Sequence, residues 1–149
     1  MTKIRVTKEF NFEMAHALKN YDGLCKNIHG HSYKFFVTVS GQPISDKNNP
    51  KYGMLIDFGD LKCLVNRVIV NVFDHALVLN KETGFDADSS SHEMFGNTIY
   101  VNYQPTCENM VIDFSKRIKE VLPENIELFS LRLYETATSY AEWFASDNL

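Results

Sequence analysis

The stretch His29-Gly30-His31-Ser32-Tyr33-Lys34-Phe35-Phe36-Val37-Thr38-Val39 decides how this chain folds. His29, His31, Tyr33, Phe35, Val37 and Val39 share one parity in a β-branched and aromatic run that stops at Gly41-Gln42-Pro43, as in a strand with one apolar face. Upstream, Phe10, Phe12 and Met14 alternate in the same way, and their parity ends on His16. The polar loop between the two strands runs from Lys19 to Asn27, with Asn20, Asp22 and Gly23 as turn formers.

Working outward, Ile44 to Lys51 is a turn-rich connection, and Asp57 stands as the N-cap of an amphipathic helix that carries Leu61, Leu64, Val65, Val68, Ile69 and Val72. A second helix enters at a Thr106 cap, carries Met110, Val111, Phe114, Ile118, Val121 and Leu122, and stops at Pro123. Two more strands follow, one with Phe129, Leu131 and Leu133 on one face, the other with Ala141, Trp143 and Ala145. Between the helices, Lys81 to Asn97 is rich in Asp, Ser, Gly and Glu and reads as a surface insertion of low order; a short apolar piece, Ile99 to Tyr103, follows it. The order ββααββ predicts one α+β domain over residues 1–149, a four-stranded antiparallel sheet with two helices on one face. Such a sheet has two open edges, which favours assembly with copies of itself.

The 149 residues, 44% of them apolar, are enough for one real core. Nineteen acids against fifteen Lys plus Arg leave no basic excess for a nucleic acid partner. Cys25, Cys63 and Cys107 are an odd number in unlike contexts, so reduced thiols and a cytoplasmic location are expected rather than a disulfide framework. No apolar stretch approaches a membrane span, and no signal core precedes the first strand, so a soluble protein is expected.

Residues i and i+2 of a strand point the same way, so His29 and His31 are aimed together about 7 Å apart at the Cα level. His16 adds a third imidazole if the two strands pair antiparallel. Each histidine alone reads better as a hydrogen-bonded core or surface residue than as a ligand; the three together suit Zn²⁺ with one coordination position left open. Cys25 lies four residues before His29, where a nearby positive charge would favour its thiolate as a general base or nucleophile. A small buried apolar role fits Cys63 and Cys107 instead. Asp74-His75 offers a proton relay for Cys25, but neighbours in sequence do not face each other on a helix, so the pair needs a non-helical turn. Glu135 ends an apolar strand face. There it either reaches solvent or meets a donor-rich partner such as the N–H pair of a guanidine-like heterocycle edge. Glu108 already suits the N-terminus of the second helix. His92 reads as a solvated side chain.

Phe12 to His16, the Cys25-Lys-Asn-Ile-His29-Gly-His31 run, Asp74-His75, Pro105-Thr106-Cys107-Glu108-Asn109 and Tyr134-Glu135-Thr136 together resemble the 6-pyruvoyl-tetrahydropterin synthase and 6-carboxytetrahydropterin synthase family over nearly the whole chain. The resemblance implies the tunnelling fold, in which three sheets form a barrel, as a homotrimer or a homohexamer of two stacked trimers with active sites between subunits. It implies zinc on His16, His29 and His31, Cys25 as the proton-abstracting base with Asp74 and His75 as its relay, and Glu135, helped by Thr106 and Glu108, on the pterin edge. The short Cys-x3-His spacing resembles the bacterial carboxy branch. That branch converts 7,8-dihydroneopterin triphosphate to 6-carboxytetrahydropterin with loss of acetaldehyde and triphosphate, on the way to queuosine. The pyruvoyl reaction on the same substrate is the alternative, and a non-catalytic pterin- or metal-binding protein is a third reading. The chain has no Gly-rich phosphate loop, so Lys19, Lys26 or basic side chains of a neighbouring subunit are expected to meet the triphosphate.

Overall fold

The computed structural model describes residues 2–90 and 92–149, the side chain of Ser90 excepted; Met1 and Ser91, the latter within the expected insertion, lie outside them. Two long strands, β1 (Ile4–His16) and β2 (His29–Gly41), pair antiparallel over their whole length, from Ile4 opposite Gly41 to His16 opposite His29. Their inward residues Phe10, Phe12, Met14, Tyr33, Phe35, Val37 and Val39 are buried, as the alternation predicts.

Helix α1 (Phe58–Val65) starts at Asp57, whose carboxylate accepts from Gly59 N–H at 2.7 Å. It passes through a π turn (Asn66–Val70) into a last α turn, α2 (Asn71–Phe73). Leu61, Val65, Ile69 and Phe73 are fully buried, a strict four-residue spacing. On a regular helix that spacing would drift by about 40° per step, and the wider π turn absorbs part of the drift. Helix α3 (Cys107–Lys119) begins at Thr106, whose hydroxyl accepts from Asn109 N–H, and buries Met110, Val111, Phe114 and Ile118. Both helices pack on one sheet face, where the Phe114 ring meets Phe12, Phe35 and Phe73 at 5.0–6.1 Å.

The sheet departs from the expected four antiparallel strands. Besides β5 (Glu127–Thr136) and β6 (Ser139–Phe144), it contains β3 (Ala76–Asn80) and β4 (Thr98–Val101), in the order β4-β3-β1-β2-β5-β6. Chain order is therefore ββαββαββ, and the sheet is mixed, because β3 pairs parallel with both β1 and β4. The run Ala76-Leu77-Val78-Leu79 has no polar alternation to announce a strand, since Ala76, Val78 and Leu79 are all buried. In β5 the inward residue is Leu128, not Phe129: the register shifts between Thr38 and Val39, turning Phe129 outward under the Arg5 guanidinium. The segment Lys81 to Asn97 is more organised than expected, with short 3₁₀ turns at Lys81–Thr83, Asp88–Ser90 and Glu93–Phe95 and a Phe85–Phe95 ring contact at 5.4 Å. Cys63 is exposed rather than buried, while Cys107 is buried as expected. Among the described residues no helix is long and apolar enough to cross a membrane.

Candidate active site

The β1/β2 register puts His16 opposite His29 and Met14 opposite His31, so three imidazoles meet at the ends of the two strands that form the centre of the sheet. Their ring centroids lie 4.6, 5.0 and 5.1 Å apart, and one nitrogen from each ring falls within 4.8 Å of the other two.

The chemistry of the donor set follows from what each ring touches. His16 Nδ1 lies 2.7 Å from Pro105 C=O, and His29 Nδ1 lies 2.7 Å from Asn27 C=O. A carbonyl oxygen only accepts, so both Nδ1 atoms carry the proton and both Nε2 atoms present a bare lone pair. Those two Nε2 atoms stand 3.1 Å apart, and His31 Nε2 is buried without a hydrogen-bond partner among the described residues. Protonation relieves this poorly. Burial, reinforced by the neighbouring His29 and His31, lowers the His16 pKa to about 4 against the opposing pull of the Pro105 carbonyl. Burial likewise lowers that of His31, although Glu135 works the other way. Three ring nitrogens converging in this way form a site that can hold a metal ion, with backbone carbonyls fixing two of the rings.

Beside this cage lies a cavity of about 310 Å³ whose walls include Cys25, Thr106, Cys107, Glu108, Glu135 and Tyr140. Cys25 reaches it from the 3₁₀ turn Leu24–Lys26. Thr106 and Glu108 come from the start of α3 and Glu135 from the end of β5, at a register shift between Tyr134 and Thr136. Glu135 Oε1 stands 3.7 Å from His31 Nε2, so the carboxylate links the cavity to the cage. The second thiol is a poor base: burial pushes Cys107 up to about 11, and its Sγ donates to Leu133 C=O at 3.1 Å. Lys19, expected near phosphate, instead gives its ammonium to Glu82 C=O at 2.6 Å.

Asp74 and His75 form the expected pair, but elsewhere. His75 has φ +59°, the non-helical turn that the pair requires, and its Nδ1 lies 3.0 Å from Asp74 Oδ2. Asp74 Oδ1 accepts from Glu13 N–H at 2.9 Å, and this bond, ahead of His75, holds the Asp74 carboxyl below the ordinary range. His75 lines a groove of about 390 Å³ with Glu13, Ala15, Gly30 and Ser32, which alternate with the cage residues along their strands, and His31 also borders it. Within one chain, then, His75 and Cys25 line different pockets.

Sequence reasoning missed Tyr33 and Gln104. Tyr33 shares the parity of His29 and His31. Its ring stacks on Phe12 at 5.1 Å and stands edge-on to His31 at 5.7 Å, yet its hydroxyl is buried without a partner among the described residues. That parity was the available signal. Gln104, two residues before the α3 cap, carries none.

Comparison with known proteins narrows this geometry in two steps. Solved structures share the fold over almost the full length: 6-pyruvoyl tetrahydropterin synthase of Caenorhabditis elegans at TM-score 0.69, with 23% identity and 97% of both chains covered, and that of Plasmodium falciparum at 0.70, with 19% identity over 96% of this chain and 98% of the other. The architecture is therefore that of the tunnelling-fold proteins.

A sequence model described as 6-pyruvoyl tetrahydropterin synthase matches residues 5–146, and the chain belongs to this family. Its relatives place it on the carboxy side: 6-carboxy-5,6,7,8-tetrahydropterin synthase of Haemophilus influenzae is 36% identical over 141 residues, 93% of this chain and 97% of the relative. The Rickettsia typhi protein of the same name is 31% identical over 144 residues, covering 93% and 99%. This is an enzyme family of lyases, and the carboxy branch expected from the Cys-x3-His spacing agrees with these relatives.

Proposed function

We propose that the chain is a zinc-dependent lyase that converts 7,8-dihydroneopterin triphosphate, with uptake of one water, to 6-carboxy-5,6,7,8-tetrahydropterin, acetaldehyde and triphosphate, in the cytoplasm and on the route to queuosine. The observation that carries this reading is the convergence of three histidine ring nitrogens beside a cavity walled by Cys25 and Glu135. His16, His29 and His31 would hold the ion, and three neutral imidazoles with an open position suit Zn²⁺. What the ion supplies when bound is Lewis acidity toward the substrate's side-chain hydroxyls, which favours loss of the neighbouring C–H proton.

The protein's own groups do the rest. Glu135 accepts two N–H groups from the 2-amino and N3 edge of the pterin, a bidentate match that fixes the ring in the cavity, and Thr106 and Glu108 line the same edge. With the ring fixed, the substrate side chain extends toward the cage, past the Cys25 side chain. Cys25 takes the side-chain proton and returns one to the ring. Triphosphate then leaves, and cleavage of the carbon–carbon bond releases acetaldehyde.

Asp74 and His75 exchange protons with Cys25 from a neighbouring subunit. The reading is supported by their place on the opposite sheet face, which a second copy can bring to the first chain's cavity, and by the free edges of β4 and β6. A homotrimer or a homohexamer satisfies this requirement.

The test is incubation of metal-analysed protein with 7,8-dihydroneopterin triphosphate and identification of products by mass spectrometry. Acetaldehyde with 6-carboxytetrahydropterin and about one zinc per chain are expected. A 6-pyruvoyl product without acetaldehyde would assign the pyruvoyl reaction, whereas bound pterin without product would leave a binding protein.

A further inference from the structure

The loop that carries Cys25 leaves β1 after His16 and re-enters the sheet at His29. It closes on itself through Leu18 N–H, which donates to Cys25 C=O at 2.9 Å, and through Asn20, which adopts φ +61°. Closure gives the loop a shape but does not fix where it sits, and a thiol that moves protons must stay within about 0.5 Å of its working position.

The Lys19 ammonium ties the loop to Glu82 C=O at 2.6 Å, and its main chain is attached by the side chain of Gln104. Its Oε1 accepts from Lys19 N–H at 3.1 Å, and its Nε2 donates to Lys19 C=O at 2.8 Å. One carboxamide thus takes both main-chain groups of one residue, a two-point contact that sets orientation as well as position. Gln104 is itself anchored to α3: its C=O accepts from Thr106 N–H at 2.7 Å and from Asn109 Nδ2 at 3.0 Å. The next residue, Pro105, holds the His16 ring, and Thr106 caps the helix that carries Glu108. Three consecutive residues therefore register the thiol loop, a cage histidine and a cavity wall to one another.

We infer that Gln104 is the positioning residue that holds Cys25 at the wall of the cavity. The inference rests on Cys25 as the proton-transferring thiol. Its geometry also says which side chains replace Gln104. Leucine has a similar size and offers neither bond; glutamate keeps the acceptor for Lys19 N–H and sets a carboxylate against Lys19 C=O; asparagine is one methylene short.

The experiment uses the metal-loaded protein and its Gln104→Leu and Gln104→Glu variants, with iodoacetamide alkylation followed by peptide mapping. Cys63, exposed on α1, is an internal reference in the same molecule. In Gln104→Leu the ratio of Cys25 to Cys63 alkylation rates is expected to change about 5-fold or more, with Cys63 itself unchanged, and kcat to fall about 10-fold while KM stays within about 2-fold. Metal content and melting midpoint stay those of the wild type. Gln104→Glu falls between, and it carries the test should Gln104→Leu not fold. An unchanged alkylation ratio in the folded variants overturns the clamp, as does loss of metal or of stability in step with activity, which would make Gln104 a general support of the fold. If the ratio shifts as expected but the wild type forms no product from the pterin triphosphate, the clamp stands and the catalytic reading falls.

Discussion

His16 and His75 are oriented in the same way and placed in opposite surroundings. Each gives its Nδ1 to an oxygen, His16 to the Pro105 carbonyl and His75 to the Asp74 carboxylate. His16 is 1% exposed, whereas the His75 side chain is 78% exposed on the other face of the sheet. A neutral acceptor in a buried place yields an imidazole that stays uncharged and offers a lone pair, which suits a metal. A charged acceptor at the surface holds the ring toward solvent, open to a second chain. One side chain thus serves two chemistries, and the partner with its burial selects between them.

The sharpest way to break this contrast is to remove a cage member. His29→Ala is expected to lose the bound metal, read by elemental analysis, and about 10³-fold of kcat/KM, while the chain stays folded. Retained metal with retained activity would disprove the cage.

The surface histidine is expected to behave differently. His75→Ala keeps its metal and loses about 10²-fold of kcat. Mixing it under subunit exchange with Cys25→Ala, itself metal-bound and inactive, separates the shared-site arrangement from a self-contained one. If Cys25 and His75 come from adjacent chains, random assembly at equal amounts restores about a quarter of wild-type activity, since an intact site needs one parent on each side. If each chain's site is its own, nothing is restored.

Acid probes the buried member. In the metal-free protein the unfolded chain protonates this histidine near 6.5 and the folded chain only near 4. The folded pKa is depressed, so the unfolded state binds more protons below 6.5. Stability is then lost as pH falls from 6.5 toward 4, by about 3 kcal/mol from His16, with no further loss from it below that. Urea midpoints measured across this range check the sign, and a midpoint that rises toward pH 4 would contradict it.

The smallest expected effect sits beside the cage. The Tyr33 hydroxyl is buried without a partner among the described residues, so Tyr33→Phe is expected to stabilise the metal-free protein by about 1 kcal/mol, a rise of a few degrees in Tm. A fall in Tm would mean that the hydroxyl is satisfied by ordered water.

The two faces also differ in how well the sequence announces them. The cage was legible because its geometry is local: β1 and β2 are consecutive and antiparallel, and parity alone aligns His16, His29 and His31. The Thr106 and Asp57 caps were legible for the same reason. What was hidden depends on partners distant in the chain. The strands Ala76–Asn80 and Thr98–Val101 pair parallel, and the first is an apolar run with no period to read, while the second is only four residues long. That omission concealed where Asp74-His75 would sit, because the dyad's face is set by the entry of β3 beside β1. The switch from Phe129 to Leu128 follows from a register shift invisible in β5 itself. The Gln104 carboxamide recognises main chain, which leaves no pattern in the sequence of its partner.

The carbonyls behind His16 and His29 bear on how the cage would take up an ion. They belong to a scaffold whose aromatic centre, around Phe12, Phe35 and Phe114, reaches the imidazoles only through Tyr33, which stacks on Phe12 and stands edge-on to His31. In a zinc finger, metal capture and folding are one event. Here two of the rings are oriented by backbone carbonyls of the fold itself, so stripping a bound ion with a chelator is expected to leave the chain folded.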